Sequence, residues 1–585
     1  MEKTMTKAQE DMINQTIYDT LYNTASMIPK NTTIEYYGQK ITYKDLLKII
    51  KKQAQSLNAI GIKNNNPVLT ILPNQPENWE LLYATNYLGG GYAPLLPSIA
   101  PTTLEKIISD LEVKNIFIYK DFYEKYNKQL NNSSLENIIL LDGTETIPLL
   151  IQKLLKLKQK LSKNDSEIKT IEEQIEYLKK QQNSIKNPKL SLYREFINAG
   201  KDRIITKAQF EPNKTAAYIT TSGTTGIPKL VEQTNEAFNA LALEHKLFVN
   251  LGVGDRNISI MPPSIAYGAG AAHYALTLGF NNILIPYLLT DSKTFKELWL
   301  KYKPDQFIGG PIHAELMLKT LEETEGKEHD ELLRLYRNAK NIVSGGAPLK
   351  KETEEKLRKY GIKIAQGYGD TETLGGTYYN IPETYEPFSA GRPFPFVKSR
   401  VCKPGTCEEV KDGEEGELHV ITPTLMKGYY NNPEATEKAI FINEFGEREH
   451  PTGDIVIKKG EYIFFADRMT DMFWRNGFNV HPSSIKKEID KYLTVGEECA
   501  VIAVMKTDNE NEQYVPVAFI STKRNFDILK QEILEDLKQN LDELAVPYEI
   551  IKVEEIPHNA GGKVDSKKLI EISGVNYSKQ KKLKR

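Results

Sequence analysis

Cysteine is scarce in this sequence, whose 585 residues include three, Cys402, Cys407 and Cys499. Three cysteines cannot form the disulfide framework that is typical of small secreted proteins. Long apolar runs are missing as well, since none approaches the ~20 residues that a membrane span needs. The first residues, MEKTMTKAQEDMINQTIYDTLYN, contain no apolar stretch of secretory length. We therefore expect a soluble, cytoplasmic protein without a membrane span.

The chain also has no large excess of charge of either sign. Lys and Arg number 76 and Asp and Glu 78, which gives a formal net charge of -2. Proteins that act mainly on nucleic acid or on an anionic membrane are usually more basic, so we expect neither as a partner. Hydrophobic residues make up 40% of the chain, which is enough for sizeable cores and excludes a wholly disordered protein. At ~100–200 residues per domain, the length predicts several domains or subdomains.

Residues 41–140 alternate between strand-like and helix-like segments. Helices are predicted over 42–57 and 77–88, and buried strands over 67–72, 115–119 and 138–141. This alternation is typical of an α/β domain with largely parallel strands, and it resumes from 200 to 460 with glycine-rich joints. After about residue 468 the pattern predicts a separate, small α+β unit, with strands over 499–504 and 515–520 and a helix over 526–544.

Two segments show no sign of catalytic chemistry. Residues 147–190 are predicted to form two short amphipathic helices folded into an antiparallel hairpin. Apolar residues recur there at intervals of three and four, at Leu150, Leu154, Leu157 and Leu161 and again at Ile168, Ile171, Ile175 and Leu178. We interpret the hairpin as a solvated insertion, with a docking arm for a partner as the alternative. The chain ends in a basic tail, 579–585, which we interpret as solvated.

The segment 220–229, TTSGTTGIPK, follows a predicted strand over 216–220 and is rich in glycine and hydroxyl groups. Glycines let backbone N–H groups turn toward an anion, hydroxyls add donors, and Lys229 supplies a positive charge for phosphate. The spacing differs from a Walker P-loop, because Lys229 does not directly follow a glycine and no Ser or Thr follows it. These residues alone are compatible with a phosphate loop and with a flexible linker.

The same segment resembles the signature loop of the adenylate-forming superfamily, which includes acyl-CoA synthetases, peptide-synthetase adenylation domains and luciferases. Further stretches resemble motifs of that family in the same order: 344–349 (SGGAPL), 367–373 (GYGDTET), 391–393 (GRP), 416–418 (GEL), 452–454 (TGD), 467–468 (DR) and 561–563 (GGK). The resemblance covers roughly 40–145 and 190–570. It implies a large N-terminal α/β domain, 1–467, and a small mobile α+β C-terminal domain, 468–585, with the active site at their interface.

The resemblance implies a role in binding ATP for each matching residue. The β- and γ-phosphates are held by Lys229 and by the loop residues Thr221, Ser222, Gly223, Thr224, Thr225 and Gly226. Thr371 contacts phosphate and Glu372 binds Mg²⁺, a hard cation that a carboxylate suits. Tyr368 stacks on the adenine beside Gly346 and Ala347. Asp454 accepts hydrogen bonds from the ribose hydroxyls, and Arg468 adds a donor there. Lys563 reaches from the small domain to the substrate carboxylate and the α-phosphate, where negative charge builds.

The resemblance further implies ATP-dependent activation of a carboxylic acid to an acyl-adenylate, followed by transfer to a thiol. The segment 474–482 (WRNGFNVHP) resembles a loop of fatty-acyl and related CoA ligases that lines the pantetheine channel, so Gly477 is expected there and coenzyme A is the expected acceptor. Thr470 stands at the hinge position that usually holds Asp or Lys. Loading of an acyl carrier protein, or stopping at the acyl-adenylate, is the alternative. A non-catalytic nucleotide-binding scaffold that uses the hairpin is the alternative of another class.

The substrate acid is only partly constrained by the sequence. Amino-acid-activating members carry an aspartate for the α-amino group at the motif that here reads 261–270 (MPPSIAYGAG), which contains no carboxylate. An ammonium group would be unpaired there, so amino acids are disfavoured. The thiol-tunnel gate of the family falls at Ile265 or Tyr267. Gly345, Gly346 and Gly369 are small and expected to line the acyl pocket. Both aliphatic and aryl acids are compatible with this sequence.

Overall fold

The structure is a computed structural model of the full chain. It describes residues 5–141, 189–221, 228–286, 289, 291–346, 349, 351–465, 473–475, 478–480, 482–494, 497–508, 511–557, 564 and 566–573. The hairpin predicted over 147–190 lies outside the described residues except for its last two positions, and Leu190 begins a strand. The basic tail and the predicted domain boundary at 467 also lie outside, so both stay predictions.

The large domain contains two mainly parallel sheets. The first sheet has eight strands, in the spatial order Gly428–Tyr429, Leu230–Thr234, Thr215–Thr220, Gly91–Leu95, Pro67–Ile71, Asn115–Tyr119, Asn137–Leu141 and Leu190–Leu192. The second sheet has nine, in the order Arg392–Pro393, Tyr378–Tyr379, Ala365–Tyr368, Asn341–Ser344, Gln306–Gly309, Arg256–Ser259, Asn281–Leu284, Thr32–Tyr36 and Gln39–Thr42. Antiparallel pairing is confined to their edges, and parallel strands with intervening helices confirm the α/β prediction.

Three smaller sheets complete the described part of the chain. A five-stranded antiparallel sheet follows the second sheet and consists of Lys398–Cys402, Glu415–Ile421, Arg448–Lys459, Phe441–Ile442 and Tyr462–Phe465. The C-terminal unit has a two-stranded sheet, Phe473–Arg475 with Phe478–Val480, and a three-stranded sheet of Glu498–Asp508, Asn511–Ser521 and Glu549–Val553. The small α+β unit predicted after residue 468 is therefore present.

Helices cover the faces of the sheets and fill the space between them. The described helices are Lys7–Ile13, Ile17–Met27, Tyr43–Ala59, Pro76–Tyr87, Pro101–Asp110, Lys120–Asn132, Tyr193–Ala199, Asn235–Phe248, Ala266–Thr277, Ser292–Tyr302, Pro311–Glu323, Gly326–Asn338, Lys351–Lys359, Pro433–Ala439, Pro482–Asp490, Phe526–Asn540 and Ser566–Ser573. Within the described ranges, none of them combines the length and the apolar character that crossing a membrane requires.

The core of the large domain lies between its two sheets. One buried cluster joins Val68 of the first sheet and Ile34 of the second through helices that include Pro76–Tyr87. That helix is buried at every position from 76 to 86, which explains why its sequence has no polar face. The amide of Asn74, just before the helix, donates a 2.9 Å hydrogen bond to the carbonyl of Ser259 on the second sheet. The two sheets therefore form one rigid frame.

Most of the predicted elements are confirmed within a few residues. The helix predicted over 42–57 is Tyr43–Ala59, capped by the side chain of Thr42, which accepts from the N–H of Asp45. The predicted helix over 526–544 is wrong at its end, because Phe526–Asn540 stops at Leu541, whose backbone is extended. The residues after it turn away to contact the large domain, and tertiary contacts outweigh their helical pattern.

This contact joins the small unit to the start of helix Pro101–Asp110. The Oδ1 atom of Asp542 accepts a 2.9 Å hydrogen bond from the N–H of Ala100, and the N–H of Glu543 donates to the carbonyl of Ser98 at 3.0 Å. Burial raises the pKa of Asp542 to about 6, although the N–H of Ala100 favours the charged form. Ionisation of the Asp542 carboxyl therefore destabilises the contact between the small unit and the large domain.

Asp542→Asn is expected to stabilise the protein above pH 6, by ~2 kcal/mol in the free energy of unfolding. The folded-state pKa lies above the ordinary value, so the stability that Asp542 contributes is complete below pH ~4 and is lost as the pH rises toward 6. The advantage of the variant should grow between these values and then stay constant, as measured by thermal unfolding across pH. Glu532→Gln on the neighbouring helix is the control, and equal pH profiles of Asp542→Asn and wild type would contradict the assignment.

Candidate functional site

The predicted phosphate loop connects two paired strands at an edge of the first sheet. Its described ends lie together: the N–H of Thr221 donates to the carbonyl of Lys229 at 2.9 Å, and the N–H of Lys229 donates to Oγ1 of Thr221 at 3.1 Å. Strands Thr215–Thr220 and Leu230–Thr234 continue this pairing. The two described ends of the segment are therefore paired with each other, and Lys229 lies directly before strand Leu230–Thr234.

Tyr429 links Lys229 to Glu372. The ring of Tyr429 lies 4.6 Å from the Nζ atom of Lys229, and its hydroxyl donates a short hydrogen bond to Oε1 of Glu372. The backbone beside Glu372 is held as well, because Nε2 of Gln233 donates to the carbonyl of Thr371 at 2.9 Å. Tyr429 and Gln233, both on strands of the first sheet, thus position the turn that contains Thr371 and Glu372.

The Glu372 carboxylate is half-buried and lies near a second carboxylate, that of Asp370. Burial raises its pKa, and the neighbouring carboxylate of Asp370 acts in the same direction. A cation placed against Glu372 would relieve both effects. No group of three or more His, Cys, Asp and Glu forms a ligand set among the residues the structure describes. One carboxylate suits Mg²⁺, which is usually held by one or two carboxylates together with substrate phosphates.

A buried ion pair supports the same turn from the other side. Nε2 of His450 lies 2.9 Å from Oδ2 of Asp370, and Oδ1 of Asp370 accepts from the N–H and the hydroxyl of Thr373, both at 2.8 Å. Although burial opposes its charged form, Asp370 raises the pKa of His450 to about 9. The pair is therefore charged at neutral pH and fixes the backbone on either side of Thr371 and Glu372.

Tyr368 and Asp454 form a second part of the site. The hydroxyl of Tyr368 donates a 2.8 Å hydrogen bond to Oδ2 of Asp454, and its ring packs edge-on against Phe465 with the centroids 4.9 Å apart. Burial raises the pKa of Tyr368 well above its usual range, and the charge of Asp454 adds to this, so the hydroxyl stays protonated as a donor. An aromatic ring and a carboxylate are thus held side by side, three residues before Thr371.

A pocket opens beside Tyr368, where the second sheet ends. It holds about 530 Å³ of empty space, counting open solvent, and glycines that include Gly345, Gly346 and Gly369 form part of its lining. Gly346 has φ +79°, a conformation that favours glycine. The pocket is lined by six rings, those of His245, Tyr267, Tyr274, Tyr378, Tyr379 and Phe394. Tyr267 therefore reaches the pocket, whereas Ile265 caps the helix Ala266–Thr277.

The structure brings together seven of the residues predicted for the site. They are Thr221, Lys229, Gly346, Tyr368, Thr371, Glu372 and Asp454. The others, Ser222, Gly223, Thr224, Thr225, Gly226, Ala347, Arg468, Gly477 and Lys563, lie outside the described residues, as does Thr470. Their predicted roles stay predictions.

Several residues of the site escaped the sequence analysis. Tyr429 lies 57 residues after Glu372, and His450 lies 80 after Asp370, so no local spacing connects either pair. Asp370 stands inside a recognised motif and carries a charge, which is a signal that could have singled it out. His245 and Phe394 come from separate segments: His245 lies on the helix that follows strand Leu230–Thr234 of the first sheet, and Phe394 follows strand Arg392–Pro393 of the second.

Comparisons with known proteins agree with this arrangement. A family model described as "AMP-binding enzyme" matches residues 21–430. The chain is similar to a long-chain-fatty-acid–CoA ligase of Bacillus subtilis (strain 168), with 26% identity over 574 residues that cover 96% of each protein. It is also similar to a 2-succinylbenzoate–CoA ligase of Listeria monocytogenes, with 23% identity over 551 residues, 93% of this chain and 97% of the relative.

Solved structures share the fold. The o-succinylbenzoate CoA synthetase of Bacillus subtilis, a double mutant bound with a product analogue, has a TM-score of 0.69 and 19% identity, and the match covers 94% of this chain and 98% of that one. A fatty acyl CoA synthetase of Mycobacterium tuberculosis has a TM-score of 0.61 and 21% identity, covering 95% and 98%. These matches confirm the predicted fold class.

Proposed function

The chain belongs to the family of AMP-binding enzymes, and from that premise we propose that it is an AMP-forming acid–thiol ligase. It joins a carboxylic acid to the α-phosphate of ATP with release of pyrophosphate, and then transfers the acyl group to the thiol of coenzyme A. The observation that carries this proposal is the cluster of Lys229, Tyr429 and Glu372, which lies at the turn that follows Tyr368, together with the Tyr368–Asp454 pair and the uncharged pocket beside it.

The first step requires neutralisation of charge at the phosphates. Lys229, at the base of its loop, faces the β- and γ-phosphates, and the backbone N–H groups of the loop add donors. Thr371 contacts phosphate, and Glu372 would hold Mg²⁺. When bound, Mg²⁺ supplies positive charge to the phosphate oxygens. The Asp370–His450 pair keeps Thr371 and Glu372 in position, so little reorganisation accompanies the reaction.

The nucleoside and the acid occupy the two sides of Tyr368. The adenine stacks on the ring of Tyr368 beside Gly346 and Ala347, and the ribose hydroxyls donate to Asp454, with Arg468 as a further donor. The acid enters the pocket beyond Gly345 and Gly369, so that its carboxylate meets the α-phosphate at the mouth. Lys563 contacts both groups from the small domain.

The second step takes place after the small domain turns. Gly477 then lines the channel through which the thiol reaches the acyl-adenylate, since a residue without a side chain suits a slim pantetheine arm. Coenzyme A is the proposed acceptor because the curated relatives are described as CoA ligases. The pantetheine of an acyl carrier protein is the second candidate, favoured by the same loop.

The test is a pyrophosphate-exchange assay with a panel of carboxylic acids, followed by measurement of CoA consumption. Acid-dependent exchange together with loss of free thiol supports the proposal. Exchange without CoA consumption would favour a carrier protein or the free acyl-adenylate. ATP binding without exchange for any acid would contradict an enzymatic role and favour a nucleotide-binding scaffold.

Gly477→Leu is expected to slow thioester formation about tenfold or more while pyrophosphate exchange stays near the wild-type rate. The added side chain fills the thiol channel and does not touch ATP, so more ATP or a higher pH should not restore the rate. Both half-reactions are measured on one preparation. Gly252→Leu is the matched control, because no atom lies within 4 Å of a Cβ added there. Thioester formation at the wild-type rate in Gly477→Leu would show that this loop does not line the channel.

A further inference from the structure

The far wall of the pocket is a stack of aromatic rings. The ring of His245 lies 3.9 Å from that of Tyr274, nearly parallel to it at 13°, and 4.9 Å from that of Phe394. Phe394 in turn lies 5.8 Å from Tyr379, at 19°. Four rings from four separate segments thus form one wall of the pocket.

This wall is held in place by hydrogen bonds behind it. Nε2 of Gln306 donates to the hydroxyl of Tyr274 at 3.0 Å, and Nδ2 of Asn341 donates to that of Tyr379 at 2.8 Å. Gln306 and Asn341 are both buried. Rotating a ring out of the way would leave a buried amide without its partner, which costs ~1–3 kcal/mol. The end of the pocket therefore does not open readily for a long acyl chain.

The sides of the pocket are flat. A Cβ atom added to Gly345 would lie 3.0–3.3 Å from ring atoms of Tyr267, so this ring rests directly on the glycine backbone. A Cβ at Gly376 would lie 2.6 Å from Leu241 and 3.5 Å from Phe394. Side chains therefore pack directly on these two glycines and are fixed parts of the lining, and a planar group stacks on aromatic faces with more contact than a flexible chain does.

The lining of the pocket offers no charge. None of the described residues that line it is Asp, Glu, Lys or Arg. A second carboxylate or an ammonium group on the acid would be buried there without a partner, at a large cost in free energy. Dicarboxylic and amino acids are therefore poor candidates, and the acid is neutral away from its reacting carboxylate.

His245 supplies a hydrogen-bond acceptor in the wall. Nδ1 of His245 lies 2.9 Å from the carbonyl of Leu241, and because a carbonyl only accepts, this nitrogen carries the proton. Burial lowers the pKa of His245 to about 4, so the ring is neutral at pH 7 and Nε2 is an acceptor. No described residue donates a hydrogen bond to Nε2.

We propose that the acid is an aromatic carboxylic acid bearing a hydroxyl group, and that this hydroxyl donates a hydrogen bond to Nε2 of His245. The inference rests on the proposed function and deepens it. The aromatic, uncharged lining takes the ring, the stacked wall limits the length, and His245 selects the donor. A site built to pair a hydroxyl discriminates against an analogue without it, because its own acceptor is then left unpaired.

The test compares matched acids that differ in the hydroxyl alone. The probes are 2-, 3- and 4-hydroxybenzoate and 4-hydroxycinnamate, each beside its parent acid and its fluoro analogue, which is of similar size and lacks a donor; hexadecanoate represents the long-chain acids. We expect kcat/KM for acyl-adenylate formation to favour one hydroxy acid over its parent and fluoro analogue by roughly ten- to hundredfold. His245→Phe keeps the stacked ring and should reduce this ratio to within about threefold. His245→Gln retains an acceptor oxygen and should keep part of it.

The ratio is measured within each variant, so a loss of overall activity does not affect it. Equal use of a hydroxy acid and its parent by the wild type, a preference for hexadecanoate, or an unchanged ratio in His245→Phe would overturn the inference. If no acid supports pyrophosphate exchange, the proposed function itself has failed. Calorimetric titration of the wild type with the same pairs then tests the pocket alone, and equal or absent binding within each pair overturns the inference.

Discussion

Glu372→Gln is expected to lower the rate of acyl-adenylate formation by about 10²–10³, equivalent to ~3–4 kcal/mol of transition-state stabilisation. The substitution keeps the size of the side chain and its hydrogen bond from Tyr429, and it removes the negative charge. The Mg²⁺ ion that neutralises the phosphates then loses its protein ligand. The measurement is pyrophosphate exchange as a function of Mg²⁺ concentration, and part of the lost rate should return at high Mg²⁺.

Glu355→Gln is the matched control, because Glu355 is exposed on helix Lys351–Lys359. It should leave both the rate and the Mg²⁺ dependence unchanged. If Glu372→Gln has the wild-type Mg²⁺ dependence and a lower rate at every concentration, the carboxylate does not serve the metal. Its role would then be confined to holding Tyr429.

The frame of the large domain follows from local patterns in the sequence. Short runs of Ile, Val and Leu bounded by polar turns predict the strands near 67–72, 115–119 and 138–141, because a strand buried on both faces needs apolar residues throughout. The helix Tyr43–Ala59 shows both its apolar spacing and its cap. Each of these signals lies within a few residues, and the structure confirms the elements they predict.

The surroundings of the site depend on contacts that no local pattern contains. Tyr429 belongs to a two-residue strand, Gly428–Tyr429, that forms the edge of the first sheet, and this pairing places its ring between Lys229 and Glu372. Similarly, Phe394 reaches His245 because the strand Arg392–Pro393 pairs with Tyr378–Tyr379 at the edge of the second sheet. The nucleotide-binding residues are recognisable because they form motifs, whereas the acid pocket is assembled from single residues of distant segments.

The charged groups of the site differ in how firmly their contacts hold them. His450 and Asp370 form an ion pair with each other, and neither side chain contacts the substrates in the proposed mechanism. Glu372 lies next to this pair. Its carboxylate accepts a hydrogen bond from the hydroxyl of Tyr429, which is not a cation, so the carboxylate can still bind a cation. Lys229 rests on an aromatic ring at the base of a loop. In the proposed mechanism Lys563 acts from the small domain, and its charge reaches the site only in one arrangement of the two domains.

Lys563→Ala is therefore expected to separate the two half-reactions. Formation of the acyl-adenylate should fall by about 10²–10³, since one charge contact to the reacting groups in a site poor in water is worth ~3–4 kcal/mol. Thioester formation from acyl-adenylate supplied ready-made should proceed near the wild-type rate, because in the proposed mechanism the small domain has then turned and Lys563 no longer faces the reacting groups.

Both steps of Lys563→Ala are measured on one preparation, with release of pyrophosphate for the first and loss of free thiol for the second. Lys552→Ala is the control: Lys552 is exposed on strand Glu549–Val553 of the same small domain, so its loss should affect neither step. An equal decrease in both steps of Lys563→Ala would contradict the assignment, because it would mean that the lysine supports the fold or the docking of the small domain. A decrease confined to the first step identifies Lys563 as the cation that meets the developing charge on the acid and the α-phosphate.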